Sequence, residues 1–271
     1  MKLISPVLLF LVAASCQPNK AIEEANDSVK STLTLRYAKG FTIDYYDDYK
    51  VVTVTKPHMN AEKGFKYILA EDVNKVPNDF EKTNIIQIPL ESIVCTSTTH
   101  IPLLDYLNLS DKLIGFPTTD YISSEKVRAR IDDGLVTDLG VDNEMNIELL
   151  ADINPGLVMA YTIGGDYGQF NKIQQLNIST VINAEYLEEH PLGRAEWIKF
   201  MAVFFNKESQ ADSVFNIIES SYLNLRKKVK TQRLVPSVFS GVGYGDTWYL
   251  PGGQNYAAKL IDDAGGGYLW N

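Results

Sequence analysis

Residues Ala195–Lys230, which read AEWIKFMAVFFNKESQADSVFNIIESSYLNLRKKVK, contain the stretch that decides the fold. Its second half predicts a helix with one apolar face, because apolar residues recur there at steps of three and four: Ala211, Val214, Phe215, Ile218, Tyr222, Leu225 and Val229. Ser209 followed by Asp212 fits a helix start, and the cations from Arg226 to Lys230 suit the negative end of a helix. About twenty residues at ~1.5 Å each make a rod of roughly 30 Å.

Strand and helix signals alternate before this helix, and strand signals return after it. We therefore interpret the helix as a rigid spine that joins two lobes. The alternative is a single helix packed on one continuous sheet. A chain of 271 residues is long enough for one large domain or two modest ones.

The composition is that of a globular protein, with 45% hydrophobic and 22% charged residues. The net charge of −9 argues against a nucleic-acid partner, because binding to phosphates requires a basic surface.

The N-terminus predicts export. Leu3 to Ala14 is an apolar run that is too short to span a bilayer, and it follows the basic start Met1-Lys2. Ala13-Ala14-Ser15-Cys16 resembles the lipobox of bacterial lipoproteins, which implies that Cys16 is acylated and becomes the first residue of the mature chain. The alternative is an ordinary cleaved signal with a chance cysteine. We expect a lipoprotein signal peptide over residues 1–16 and a flexible polar tether over residues 17–31.

Cys95 is the second of the two cysteines. If Cys16 carries lipid, Cys95 has no disulfide partner. It follows the apolar residues Ile93-Val94, which favours a small buried core residue over a nucleophile.

Residues 32–190 are expected to form an N-terminal α/β lobe. Phe41–Tyr45 and Lys50–Thr55 alternate in polarity around Asp47-Asp48, which predicts a β-hairpin attached to the main sheet. From Ser92 onward, short apolar strands alternate with helices, and this rhythm indicates a parallel sheet covered on both faces.

Ligands of open α/β sheets bind beyond the carboxyl ends of the strands. The residues predicted at such ends are Ser97, Thr98, His100, Phe116, Pro117, Tyr161, Thr162 and Glu185. His100 has an alternative role in the first turn of a helix. Glu188-Glu189 is most simply a solvated turn.

The helical spine is assigned to residues 191–234 and the start of a second α/β lobe to residues 235–271. This last block is too short to bury a sheet with helices on both faces, so we expect the second lobe to be incomplete.

Four stretches resemble the substrate-binding lipoproteins of ABC importers for ferric siderophores, haem and cobalamin: Ser92–Pro117, Asn146–Tyr161, Pro191–Glu208 and Trp248–Gly267. The resemblance implies two α/β lobes joined by one long rigid helix, with the ligand held between them. The second lobe of that family continues for roughly a hundred residues more, so this chain looks like a fragment or a shortened product. The family also docks to its membrane permease through a glutamate on each lobe, and Asp166 is the candidate here.

A cleft for a large chelate or macrocycle needs aromatic walls and a few polar donors. The candidates are Tyr161, Tyr167, Tyr244, Trp248 and Tyr249 for the walls and Arg194 for an anionic group. The alternatives are ordinary half-buried packing for the tyrosines and an ion pair with Glu196 or Glu185 for Arg194. The three histidines, His58, His100 and His190, lack metal-site spacing, and no catalytic constellation or cofactor motif is present.

The sequence therefore predicts a periplasmic, lipid-anchored protein that is not an enzyme. It would deliver an iron-siderophore, haem or cobalamin to an ABC permease of the inner membrane. The alternative is an envelope scaffold lipoprotein that has lost transport, and an exported hydrolase is a distant third.

Overall fold

The computed structural model describes residues 28–81, 84–165, 167–231 and 234–270. The strands of these ranges are β1 (Ser31–Thr32), β2 (Phe41–Tyr45), β3 (Tyr49–Val54), β4 (Phe65–Ala70), β5 (Ile85–Gln87), β6 (Ile93–Cys95), β7 (Leu113–Phe116), β8 (Thr137–Asp138), β9 (Val158–Ala160), β10 (Thr180–Ile182), β11 (Ser237–Val238), β12 (Val242–Tyr244), β13 (Thr247–Tyr249) and β14 (Gly267–Tyr268). The α-helices are α1 (His100–Tyr106), α2 (Glu125–Asp132), α3 (Ile147–Ile153), α4 (Gly168–Gln175), α5 (Pro191–Glu196), α6 (Ile198–Val203), α7 (Glu208–Val229) and α8 (Tyr256–Asp263). Within the described ranges, no helix is both long enough and apolar enough to cross a membrane.

The first five strands form a sheet of their own, in the order β1-β2-β3-β4-β5. The predicted hairpin is present, with Phe41 opposite Val54 and Ile43 opposite Val52, and the four side chains are buried. This five-stranded sheet is separate from the parallel sheet of β6–β10, so the expected attachment of the hairpin to the main sheet is wrong. The two sheets instead meet through side chains: the Tyr67 hydroxyl accepts a hydrogen bond from the Ile182 N–H at 3.1 Å.

The second sheet has the order β10-β9-β6-β7-β8, and all its strand pairs are parallel. Ile93 and Cys95 enter a core shared with α1 and α6, whereas Val94 enters a separate core with α3 and α4. Helices therefore cover both faces, as the continuous apolar strands predicted. Cys95 is a buried free cysteine, and burial raises the pKa of its thiol.

The direction in which strands are added reverses at β6. The chain proceeds from β6 to β7 and β8 on one side, and then returns to place β9 and β10 on the other side. In open parallel sheets, such a reversal leaves a crevice between the two strands that diverge, here β6 and β9, at their carboxyl ends.

The long helix α7 spans 22 residues, about 33 Å at 1.5 Å per residue. The predicted cap at Ser209 is wrong by two residues: the helix begins at Glu208, and the residue at the cap position, Lys207, makes no side-chain capping bond. The earlier part of the opening stretch contains the end of α5 and all of α6, two short helices separated at Trp197.

The two halves of α7 pack against different parts of the molecule. Ala211 and Phe215 are buried in the core of the N-terminal lobe. Farther along, Tyr222 and Arg226 contact Asp263 of α8. Leu225, which the sequence placed on the apolar face, is exposed.

Two buried carboxylates, one before α5 and one at its last residue, hold the segment 36–40. Glu196 Oε2 accepts hydrogen bonds from the N–H groups of Arg36, Tyr37 and Ala38 at 3.0, 2.8 and 2.9 Å. Glu188 Oε1 accepts from the next two N–H groups, those of residues 39 and 40, at 2.8 Å each.

Other side chains pack closely around these two carboxylates and the segment that they hold, which together we call the glutamate clamp. The indole Nε1 of buried Trp197 donates to Glu188 Oε1 at 3.0 Å. Lys199 Nζ lies 3.2 Å from Glu196 Oε1. A Cβ on Gly40 would come within 2.7 Å of the Trp197 ring, so the close approach requires glycine at that position. Glu188 is therefore a buried structural residue, which corrects its interpretation as part of a solvated turn.

We predict that Glu196→Gln lowers the free energy of unfolding by about 3 kcal/mol, measured by urea denaturation. The amide would leave backbone donors and the Lys199 ammonium without the carboxylate that they face. Glu91→Gln is the control, because Glu91 pairs with Lys112 while its side chain is 86% exposed, and its loss should change stability by less than about 1 kcal/mol. Equal, small effects of the two substitutions would contradict the proposed clamp.

Candidate ligand cleft

Polar residues lie at the crevice between β6 and β9. Ser97 and Thr98 follow β6, and Tyr161 and Thr162 follow β9. Ser97 is half-buried and its Oγ lies 2.8 Å from Thr99 Oγ1, whereas Thr98 is exposed. The structure thus places hydroxyl groups at the carboxyl edge of the parallel sheet, where the topology favours a ligand.

Several residues predicted at this edge are buried, including Pro117 and Glu185, and two of them lie in the interior. Phe116 is 2% exposed and packs in the main core. His100 is 0% exposed, and its burial, only partly offset by the Met159 backbone, lowers the pKa of the ring to about 3. Neither side chain can contact a ligand in this conformation, because each continues the inward face of the strand or helix that carries it.

Tyr161 and Thr162 line a cavity of about 810 Å³ between the loop after β8, the loop after β9 and the start of α4. Tyr161 is paired with Asp142, and burial raises the pKa of both groups. Thr162 is buried, and its backbone oxygen accepts a hydrogen bond from the Tyr186 hydroxyl at 2.6 Å. Thr162 therefore supports the loop, while Tyr161 is the side chain that faces open space.

The second lobe, after α7, presents aromatic residues on the β12–β13 hairpin. Tyr244, Trp248 and Tyr249 are 79%, 53% and 56% exposed. Gly243 pairs with Trp248, and Val242 pairs with Tyr249. Side chains alternate across a strand, so Tyr244 and Tyr249 share one face and Trp248 occupies the other. The three residues cannot form one wall, which corrects their grouping from the sequence.

Trp248 instead packs within the second lobe. Its ring centroid lies 5.4 Å from that of Phe239, and its indole covers Gly241 so closely that a Cβ there would come within 2.4 Å of Nε1. Trp248 supports the hairpin, and the exposed aromatic face is that of Tyr244 and Tyr249.

A cavity of about 670 Å³ lies between the two lobes. The N-terminal lobe lines it with the segment 37–40, the residues 55–56 after β3, and the turn 187–190; the second lobe contributes Gly253, Gln254 and Lys259. None of these residues was a predicted ligand contact. One signal was present, since Gly252-Gly253-Gln254-Asn255 separates a strand from a helix, but the walls from the first sheet depend on contacts between distant parts of the chain.

His190 lies at the joint between the lobes beside this cavity. Its Nδ1 accepts the Leu192 N–H at 3.0 Å, so the proton of the neutral ring is on Nε2. Burial lowers the pKa of His190, an effect that Asp263 opposes. Its ring centroid lies 5.0 Å from that of Tyr37 and 6.3 Å from that of Tyr222.

Arg194 also lies at this joint and is already engaged. Its Nη2 donates to the Tyr186 carbonyl at 2.7 Å and its Nε to the Glu188 carbonyl at 3.2 Å. Its guanidinium lies 3.9 Å from the ring centroid of Tyr256, the first residue of α8. Burial raises the pKa of nearby Glu185, and the Thr99 hydroxyl and the charge of Arg194 oppose that rise.

Asp263 fastens α8 to α7. It accepts from the Tyr222 hydroxyl at 2.8 Å and lies 2.8 Å from Arg226 Nε and 2.7 Å from Lys259 Nζ. The turn after α8 approaches α7 so closely that a Cβ on Gly265, where φ is +81°, would overlap Val229.

Cys16 and Asp166 lie outside the described residues. In the part of the chain that the structure describes, no group of three or more histidine, cysteine or acidic side chains is arranged to hold a metal ion.

A family model described as periplasmic binding protein matches residues 93–268, more than half of the chain. The chain belongs to the periplasmic binding protein family. The family match covers the parallel sheet, the long helix and most of the second lobe. The first sheet, β1–β5, precedes it.

The chain is also similar to individual curated proteins. An uncharacterized lipoprotein of Methanocaldococcus jannaschii is 28% identical over 253 residues, which cover 85% of this chain and 60% of that protein. The chain thus spans about three-fifths of the length of this curated relative.

Two solved structures share the fold. The siderophore-binding protein BauB, bound to two acinetobactin molecules and ferric iron, aligns with a TM-score of 0.55 and 17% identity over 80% of this chain and 67% of that one. The periplasmic haem-binding protein HutB of Vibrio cholerae aligns with a TM-score of 0.55 and 12% identity over 67% of this chain and 66% of that one.

We predict that Asp263→Asn loosens α8 while the N-terminal lobe stays folded. Loss of the charge from two hydrogen bonds and one ion pair removes about 2 kcal/mol, which raises local opening roughly 30-fold. Amide hydrogen exchange of residues 256–263 should accelerate by that factor. The control is Asp262→Asn, because Asp262 lies 3.2 Å from the same Lys259 Nζ but is largely exposed, and exchange there should change little.

The same joint should depend on pH. Burial alone would raise the pKa of Asp263, but its hydrogen bonds from Lys259 and Tyr222 outweigh that effect and lower the pKa below 3.8. The contribution of Asp263 is therefore complete above pH 3.8 and is lost as the pH falls through the lowered value. Hydrogen-exchange protection of α8 should fall below about pH 4 in the wild type and show no such step in Asp263→Asn.

Proposed function

We propose that the protein is the substrate-binding lipoprotein of an ABC importer. It holds an iron-siderophore, haem or cobalamin between its two lobes and delivers it to the membrane permease. The observation that carries the proposal is the cavity lined by both lobes, which one long helix joins. Solved proteins with this fold include binding proteins for a siderophore, vitamin B12 and haem, which supports the same class of bulky solutes.

The mechanism requires capture rather than chemistry. The cavity lining supplies Lys39, Lys56 and Gln254 as polar groups. Outside that lining, a bulky ligand would extend to the hydroxyl groups of Ser97 and Thr98 at the crevice and to the exposed hairpin face of Tyr244 and Tyr249. Arg194 positions the turn 186–188 and stacks on α8, so its role is to hold the joint. Because α7 is packed in both lobes, ligand capture involves only small closure. Asp166 is the proposed contact with the permease.

Ligand binding should depend on the exposed face of the hairpin. We expect saturable quenching of intrinsic fluorescence by one member of a panel of haem, cobalamin and ferric siderophores. The double substitution Tyr244→Ser/Tyr249→Ser should then weaken binding about tenfold or more, because it removes two aromatic contacts worth about 1 kcal/mol each.

The matched control is Tyr106→Ser. Tyr106 is similarly exposed but lies at the far end of α1, away from the carboxyl edge of the sheet, so affinity should be unchanged. A protein that binds no member of the panel would instead support the scaffold function. Equal losses of affinity in both variants would show that the hairpin is not part of the binding site.

The proposed anchor is tested on Cys16. On expression in a bacterium, Cys16→Ala should abolish incorporation of labelled palmitate and release the protein from the membrane fraction. Cys95→Ala is the control, because that thiol is buried in the core and should not affect lipid incorporation. Retention of label in Cys16→Ala would refute the anchor.

A further inference from the structure

One wall of the inter-lobe cavity comes from a part of the chain that lies before the family match. The segment 37–40 contributes Tyr37 and Lys39, and the end of the β3 hairpin contributes Thr55 and Lys56. The first sheet is therefore placed where it can select what the cavity holds. The glutamate clamp fixes this placement, since the N–H groups of residues 36–40 are bound to Glu196 and Glu188.

Some of the charged side chains that line the cavity already have partners, and others do not. Lys259 is neutralised by Asp262 and Asp263, and the Glu188 carboxylate is occupied by backbone N–H groups and the Trp197 indole. Lys39 and Lys56 are exposed, and neither forms an ion pair with any described residue.

Glu189 is the remaining carboxylate of the lining. Lys39 and Lys56 outnumber Glu189, so the lining residues without a partner carry a net positive charge. The chain as a whole has a net charge of −9. A positive cavity on an acidic protein focuses anions toward itself, because repulsion elsewhere on the surface disfavours other encounters.

Hydrogen-bond donors accompany these cations. The neutral His190 ring carries its proton on Nε2, because Nδ1 accepts the Leu192 N–H. Gln254 adds a side-chain amide from the opposite lobe. Ammonium, imidazole N–H and amide groups around one cavity are the donors that bind a carboxylate or phosphate.

We propose that the first sheet makes the cleft selective for anionic cargo, with Lys39 and Lys56 binding a carboxylate or phosphate group of the solute. The proposal rests on the proposed function, namely that a solute occupies the space between the lobes. It assigns a role in specificity to β1–β5, which precede the family match.

The first test uses simple anions as probes and does not depend on the identity of the cargo. Citrate and inorganic phosphate are titrated separately into the full chain, and amide shifts of residues 39, 56 and 253–254 are followed by NMR. We expect saturable shifts with at least one anion, and the stronger probe identifies carboxylate or phosphate. Lys39→Gln/Lys56→Gln should weaken that binding at least tenfold.

Lys63→Gln/Lys66→Gln is the matched control. Both lysines are exposed near or on β4 of the same sheet, and the cavity lining does not include them. The control removes the same charge from the protein, so an equal loss in both double variants would indicate a non-specific field and overturn the proposal. Absence of any saturable shift in the wild type would also overturn it.

The second test compares ferric chelates of different charge. An anionic ferric tris-catecholate and a neutral ferric tris-hydroxamate are each titrated into the wild type and Lys39→Gln/Lys56→Gln. The double variant should lose about tenfold in affinity for the anionic chelate only. Equal affinity losses for both chelates would contradict selection by charge. Failure of both chelates, haem and cobalamin to bind, with citrate or phosphate still bound at these lysines, would refute the proposed cargo but leave the anion site supported.

Discussion

The arrangement of the molecule depends on the hydrogen bonding of five consecutive backbone amides. Residues 36–40 lie between β1 and β2 and outside any strand, so their N–H groups have no strand partner. Each unpaired buried N–H would cost about 1–3 kcal/mol. Glu196 and Glu188 supply acceptors for all five, and Lys199 offsets the charge of Glu196. Two side chains thereby fix where the first sheet meets the parallel lobe.

The long helix connects this clamp to the second lobe. Its first half is part of the N-terminal core through Ala211 and Phe215, and its second half carries α8 through Tyr222 and Arg226. Apolar packing holds one end and a charged hydrogen-bond cluster around Asp263 holds the other. The first half is therefore built into the core, whereas the second half meets α8 through the polar groups around Asp263.

Local patterns predicted most of the fold. The continuous apolar strands indicated the parallel sheet, the alternation of residues 41–54 indicated the hairpin, and the three-to-four spacing after Glu208 indicated α7. These signals work because each reflects which face of one element meets the core. The buried position of Cys95 followed from the same reasoning.

The site was less predictable, because it depends on contacts between residues that are distant in the chain. Position at a strand end did not distinguish exposed Thr98 from buried Phe116, and composition did not show that Tyr249 and Trp248 face opposite ways. Glu188 resembled a solvated residue because its partners, at residues 39 and 40, lie about 150 positions earlier. Pairings of that kind leave no periodic trace in a single sequence.

The turn 187–190 has two roles. It carries Glu188 of the clamp, and it also lines the cavity between the lobes. Substitution there would alter foldability and cargo preference together. The side chains of Lys39 and Lys56 have no such structural role. The clamp binds residue 39 through its backbone N–H, and neither lysine side chain forms an ion pair with any described residue. Divergence toward new solutes should therefore accumulate on the rim supplied by the first sheet and the hairpin, while the turn beneath them stays constant.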